Sequence, residues 1–584
     1  MFEFLSSVFV TLDDEENDEN VQVGLSEQDK LLSFNIFYAM IGFSCLVYVW
    51  EQYLEFRERR VVKATKDVPS PLRGSLDEET LAKSCSYYLD RSGFGLIKDF
   101  IMEALHLAAL LYYFLPWIWL QSGGLCEKLQ DKVEYFRTED LLWLEIQQSI
   151  VLIFLIMLIS TVVELPFSIY STFVIEERHG FNKQTAWFFI KDKIKGLLVF
   201  SVLIPPILSG ILYIIGRGGD FFVFYVFAFC FVVSTFMMFI YPTVIAPIFD
   251  KYTPLPEGEL RTKIEDLAAS IEFPLTQLYV VEGSKRSGHS NAYFYGFFKS
   301  KRIVLYDTLL AEYTPENKTG DYSAQAPFMG PQVTTLLRPL STRESTDETS
   351  PGKVPGSGDY SAQAPFMGPQ VTTLLKPLSW ALRWLRLLVL RQDPSTVGGS
   401  DEVKENKADG KEQKKKGCTN DEVVAVLAHE LGHWNYNHVL KGFIFGQVNL
   451  FLKFLVFSYL HQNPLVFHAF GFPVSTSPSV EVSPNDTVPI IISLTIIFSY
   501  VFNVYNEACG IFMTVMSRRF EFQADAFAHS LGKSALLKTS LVKLHTDNLS
   551  VPVHDWLNSA WHHSHPPLLE RIAALDDLDK KKTD

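Results

Sequence analysis

Long apolar runs punctuate the chain, and polar stretches separate them. Seven approach the length a bilayer demands: 34–54, 101–121, 148–170, 196–216, 221–247, 438–460 and 487–513. A hydrocarbon core of about 30 Å needs about 20 consecutive apolar helical residues. Each run therefore predicts a membrane-spanning helix. The second and the last carry the most polar residues. Seven such runs argue against the buried helices of a soluble core.

Charge between the runs sets an orientation. Arg57, Arg59, Arg60, Lys63 and Lys66 follow the first, and Arg178, Lys183, Lys191, Lys193 and Lys195 follow the third. Short basic flanks stay on the cytosolic side. The tail before the first span is acidic and has no basic n-region, so the first span reads as an uncleaved anchor. The N-terminus is expected in the lumen and the C-terminus in the cytosol. Segments 248–437 and 514–584 then share the cytosolic side, because two crossings separate them.

Composition agrees with a membrane protein. The 584 residues have a mean hydropathy of +0.11 and are 14% aromatic, with 47 Phe. A net charge of −14 gives no pull toward nucleic acid. The cysteines Cys45, Cys85, Cys126, Cys230, Cys418 and Cys509 form no CxxC pair, which excludes a thiolate zinc site and a disulfide framework. Cys45, Cys230 and Cys509 lie in apolar runs and read as packing residues.

Residues 316–417 read as a linker with little globular content. They hold a direct repeat: 320–341 recurs at 358–379 with Arg338 replaced by Lys376. Two copies cannot stack a solenoid core, so the repeat reads as a recent duplication or an error of gene assembly. The sharper reading is a docking segment. Residues 380–391 are short, basic and apolar, which suits a membrane surface and not a span. The run 411–416 reads as a solvated stretch.

The chemistry sits in 421–434, DEVVAVLAHELGHW, an HExxH. Thr419, Asn420 and Asp421 offer helix caps before it. On a helix, His429 and His433 share a face, so both imidazoles can reach one ion. Zinc accepts such nitrogens, and Glu430 stands ready to take the proton of a water that attacks a peptide carbonyl. A catalytic zinc keeps three protein ligands. The downstream candidate is Glu521 in SRRFEFQADAFA (517–528), with Asp525 four residues on to hold a ligand imidazole. Read alone, Glu521 could equally pair with Arg518 or Arg519.

Several segments resemble the Ste24-type CAAX prenyl proteases. They are FVIEERHGFNKQT (173–185), VVEGSKRSGHSNAYFYGFFKSKRIVLYDTLL (280–310), the HELGHW helix, SRRFEFQADAFA, and WHHSHPPLLERIAAL (561–575). The resemblance covers most of the chain outside the extreme N-terminus, 316–417 and about 461–486. It implies zinc ligands at His429, His433 and Glu521, and a general base at Glu430. It also implies that Asn291 holds substrate backbone as an edge strand, that His565 stabilises the oxyanion, and that Arg571 supports the substrate site. Without it, Asn291 reads as a turn residue and His565 as a helix cap before Pro566.

The fold implied is an all-α integral membrane protein, with seven long helices enclosing a large chamber and a gluzincin-like zinc metalloprotease domain as its cap. The expected plan runs as a lumenal tail (1–33), spans one to five (34–247), a first protease part (248–315), the insertion (316–417), the catalytic helix (418–437), spans six and seven (438–513), and a second protease part (514–584). The implied activity removes the last three residues after a prenylated cysteine and cuts further upstream in prelamin A-like substrates. Expected partners are prenylated CAAX proteins including lamin precursors, membrane lipid and the translocon, with no nucleic acid. The ending Lys581-Lys582-Thr583-Asp584 resembles a dilysine retrieval signal, or is a plain charged tail. It fits the endoplasmic reticulum membrane, with the inner nuclear membrane as a second address. Asn485 lies in a lumenal sequon, whereas the sequons at Asn317 and Asn548 fall on the cytosolic side. The competing readings are a quality-control protease, a metal transporter, and a non-catalytic scaffold for prenylated proteins.

Overall fold

The computed structural model describes residues 25–297, 300–313, 416–472 and 488–583. The duplicated segment, the stretches 380–391 and 411–415, and Asn317 and Asn485 lie outside them.

The first half is a series of long helices: α1 (Glu27–Ala64), α2 (Glu78–Leu111), α3 (Phe114–Lys132), α4 (Leu141–Tyr170), α5 (Ala186–Arg217) and α6 (Phe222–Ile240). Ser26 caps α1, and Asp77 caps α2 by accepting from the Thr80 N–H at 2.7 Å. α4 and α6 run on through single π-helical turns, Ser171–Glu176 and Tyr241–Ile245. Pro166 in α4 and Pro205–Pro206 in α5 lie inside helices, as membrane helices tolerate.

The protease half opens with β1 (Tyr252–Pro254), α7 (Glu259–Ser270), β2 (Leu275–Val281), β3 (Ala292–Phe297) and β4 (Ser300–Tyr306). Then come α8 (Asn420–Asn435), α9 (His438–Leu460), α10 (Ile490–Ile496), α11 (Asn503–Ser530), α12 (Ser534–Asp547), α13 (Trp556–His562) and α14 (Leu568–Thr583).

Among the described residues, five helical stretches are long and apolar enough to cross a membrane: Glu27–Ala64, Leu141–Glu176, Ala186–Arg217, Gly219–Phe249 and His438–Leu460. Ile490–Val501 and Asn503–Ser530 make a sixth if the pair, bent by 58°, counts as one. The expected span at 101–121 differs. It straddles the break between α2 and α3, where Tyr113 turns left-handed at φ 52°. Glu103 and His106 lower the hydropathy of that stretch.

An all-α description also needs correction. The strands form one mixed sheet in the order β1-β2-β4-β3, with β2 parallel to β4 and the other pairs antiparallel. β-branched and aromatic residues dominate β2 and β4, which suits a pleated, half-buried surface. β3 is an edge strand. Beyond β4, the Cys418 N–H donates to the Leu309 carbonyl at 2.7 Å and the Ala311 N–H to the Cys418 carbonyl at 3.1 Å. The chain thus leaves and re-enters the protease half at one point. Gly417 turns left-handed there (φ +91°), and a Cβ would lie 2.9 Å from the Ala311 nitrogen.

Candidate active site

α8 carries the HExxH, and its start is locally encoded. The Glu422 carboxylate accepts from the Thr419 N–H at 2.8 Å and from its hydroxyl at 3.0 Å. It also takes the Lys543 ammonium of α12 at 2.6 Å. From Glu422 to His429 every residue is buried, then Leu431 and Gly432 again. So apolar a helix has protein on all sides.

Gly432 sets the approach of α11. A Cβ there would fall 2.8 Å from the Ala524 Cα, and Ala524 and Ala528 are fully buried. Three small residues let the two backbones close up, which brings the histidine face of α8 against Glu521 and Asp525.

The polar cluster follows. His429 Nε2 and His433 Nε2 lie 3.2 Å apart. Glu521 Oε2 is 3.4 Å from His429 Nε2, and Oε1 is 3.3 Å from His433 Nε2. One ligand atom from each of the three residues lies within 4.8 Å of the others. His429 Nδ1 meets Asp525 Oδ1 at 2.8 Å. Arg571 from α14 donates to both Asp525 oxygens, at 2.6 and 2.8 Å, and its Nη1 lies 3.6 Å from Glu521.

Arg571 is buried, and its guanidinium faces these carboxylates. Arg518, a rival partner for Glu521, is engaged by Glu570 at 2.6 Å. His565, on the loop between α13 and α14, reaches Glu521 Oε1 with Nδ1 at 3.0 Å, and its side chain is 68% exposed. Asn291 immediately precedes the edge strand β3. It is exposed, and its Oδ1 accepts from the Ala292 N–H at 2.8 Å. Among the described residues no hydrogen bond ties it to the cluster.

The donor set fits a divalent cation. Glu521 is 2% exposed, and its Oε2 meets His429 Nε2 only at 3.4 Å and Arg571 Nη1 at 3.6 Å, with no well-formed hydrogen bond among the described residues. A buried carboxylate oxygen so loosely held is better satisfied with a further cation beside it. Burial opposes charge on His429, but its bonds to Asp525 and Glu521 outweigh that and raise its pKa to about 9. Positive charge is therefore welcome at this point. Burial, with the Glu521 charge adding to it, raises the pKa of the partly exposed Glu430 carboxyl above its ordinary value.

Sequence reasoning missed His438 and Gln523. The His433 Nδ1 lies 3.0 Å from His438 Nδ1, and His438 Nε2 lies 2.9 Å from Gln523 Oε1. Their signal was present: Gln523 is two residues from Glu521, and His438 is five from His433. Neither spacing belongs to a metal motif.

Comparison with known proteins places this geometry. Residues 58–251 match the family model of the CAAX prenyl protease N-terminal region, described as five membrane helices. Residues 254–320 and 402–579 match peptidase family M48. The chain is 43% identical over 543 residues to the CAAX prenyl protease 1 homolog of Homo sapiens, covering 93% of this chain and 96% of that protein. It is 32% identical to CAAX prenyl protease 1 of Saccharomyces cerevisiae, covering 93% and 95%. A crystal structure of Ste24p from S. mikatae superposes with a TM-score of 0.68 at 32% identity, covering 94% of this chain and all of that one. The chain belongs to peptidase family M48, as a multi-pass membrane metallopeptidase of the CAAX prenyl protease type.

Proposed function

We propose that the protein is a zinc endopeptidase that removes the C-terminal tripeptide of prenylated CAAX proteins. The observation that carries this is the meeting of His429, His433 and Glu521 around one point, with a buried carboxylate oxygen left for a cation. Two imidazoles and one carboxylate are the donor set of a catalytic zinc with an open position.

Zinc bound there supplies Lewis-acid polarisation and makes a water acidic enough to act near neutral pH. Glu430 would accept a proton from the attacking water and return it to the leaving amine. His565, exposed beside Glu521, donates to the oxyanion. Asn291 and β3 hold the substrate backbone as one more strand on an open sheet edge. Arg571 locks Asp525, which locks His429.

The seventh crossing is assigned to α2, whose 34 residues are about 50 Å long. Its His106 Nε2 reaches the Tyr500 hydroxyl at 3.3 Å. Buried polar atoms of Trp50, Glu103, Gln447 and Asn449 have no partner among the described residues. Unpaired polar atoms on span helices suit a wet chamber between them. A prenyl chain adds about 0.8 kcal/mol of membrane binding per buried CH₂, so such substrates gather at this site. The basic flanks support a cytosolic protease half. A second, upstream cut in prelamin A-like substrates completes the reading.

The test is cleavage of a farnesylated C-terminal peptide by the purified, detergent-solubilised protein. Cleavage is expected to stop with a chelator and to fall by about 10²–10⁴-fold in Glu430→Ala. Equal cleavage of unprenylated, unfolded chains would favour the quality-control reading. Bound zinc with no cleavage of either substrate would point to the scaffold.

A further inference from the structure

The two histidines of the HExxH are fixed by different means. His429 is held by a carboxylate, Asp525, which Arg571 grips in turn. Among the described residues, His433 has no carboxylate behind it. Its Nδ1 meets His438 Nδ1 at 3.0 Å, and His438 Nε2 meets Gln523 Oε1 at 2.9 Å. The His438 ring is buried and lies flat on Phe520, with centroids 4.0 Å apart and planes 11° apart.

We infer that Gln523 and His438 form a neutral relay that sets the tautomer of His433 and aims its Nε2 at the metal. This rests on the reading of His429, His433 and Glu521 as the metal site. A carboxamide oxygen can only accept. His438 must then carry its proton on Nε2 and present Nδ1 as an acceptor. His433 must donate Nδ1–H to it, which leaves the His433 Nε2 lone pair free for a cation. With the amide turned round, every step reverses and His433 Nε2 bears a proton. Metal ligation and the orientation of Gln523 therefore require each other. The stack on Phe520 prevents the His438 ring from swinging away. His438 and Gln523 are positioning residues, because neither reaches the metal or the substrate.

The experiment measures Zn²⁺ affinity of the full-length, detergent-solubilised protein by competition with a fluorescent chelator, alongside the visible ligand-field spectrum with Co²⁺. His438→Phe keeps the stack and removes the nitrogens. It is expected to weaken Zn²⁺ binding about 10–100-fold, the usual effect of losing a partner behind a ligand. His438→Asn returns an acceptor near the Nδ1 position and should recover part of the loss. Gln523 is exposed, so its variants keep the packing. Gln523→Leu should weaken binding, whereas Gln523→Glu, an acceptor of the same shape, should hold or tighten it. The Co²⁺ bands should shift in His438→Phe and return in His438→Asn.

Wild-type Zn²⁺ affinity in both His438→Phe and Gln523→Leu, with an unchanged Co²⁺ spectrum, overturns the relay and leaves the metal site intact. Zn²⁺ binding at wild-type affinity in His433→Ala overturns the metal site itself. Metal-free thermal unfolding of each variant separates loss of the relay from loss of the fold.

Discussion

α8 and α5 both carry apolar runs, yet the protein buries only one of them. In α8, Val423, Ala425, Leu427, Ala428 and Leu431 have no exposed surface, because α7, α11, α12 and β3 pack around them. In α5, Leu198 is 62% exposed and Val202 72%. On a soluble protein such a face would be an aggregation or docking surface. On a membrane span such a face suits lipid. Hydropathy reports that a residue avoids water. It does not report whether protein or lipid takes its place. The consequence is that shape matters in α8, whereas only polarity matters on the outer face of α5.

Substitutions can break or sharpen that contrast. The largest effect is expected at the charged layer next to α8. Arg571→Met leaves Asp525 and His429 buried without their cation, and should cost about 3–5 kcal/mol, read by thermal unfolding of the metal-free protein. A neutral outcome would mean that water already reaches the cluster. Leu427→Ala should follow at about 2–5 kcal/mol, as a cavity in a packed core does. On α5, Val202→Lys should cost about 2.5–3.5 kcal/mol of membrane insertion, measured in a translocon insertion assay. Val202→Ala should cost less than about 0.5 kcal/mol in unfolding, since lipid refills the space. If Val202→Ala matched Leu427→Ala, that face of α5 would be packed against protein, and the contrast would fail.

Much of this was legible in the sequence, for definite reasons. The runs of 20 apolar residues gave five or six of the spans because backbone satisfaction in lipid leaves few other solutions. The spacing of His429 and His433 gave the face of α8, since i and i+4 must coincide on a helix. The break at Tyr113 was hidden, because a left-handed tyrosine leaves no compositional trace. The four-stranded sheet was hidden behind an expectation of helices, although the Leu-Tyr-Val-Val end of β2 and the Ile-Val-Leu-Tyr end of β4 are strand-like. The grip of Arg571 on Asp525 was hidden, because their separation in sequence, 46 residues, carries no hint of a bidentate pair. The role of Gly432 as the contact with Ala524 was equally invisible, because a glycine inside HELGH says nothing about its neighbour.

The corner between α8 and α9 has a last consequence. Only Tyr436 and Asn437 separate the catalytic helix from a membrane span, and Asn437 makes the turn at φ 55°. His433 touches His438, the first residue of that span. Five residues could stretch no further than about 18 Å, and these are far from stretched. The cluster of His429, His433 and Glu521 is thereby tied to the first turn of that span. On the proposed reading, a lipid-tethered peptide would be measured from its anchor, as against a ruler.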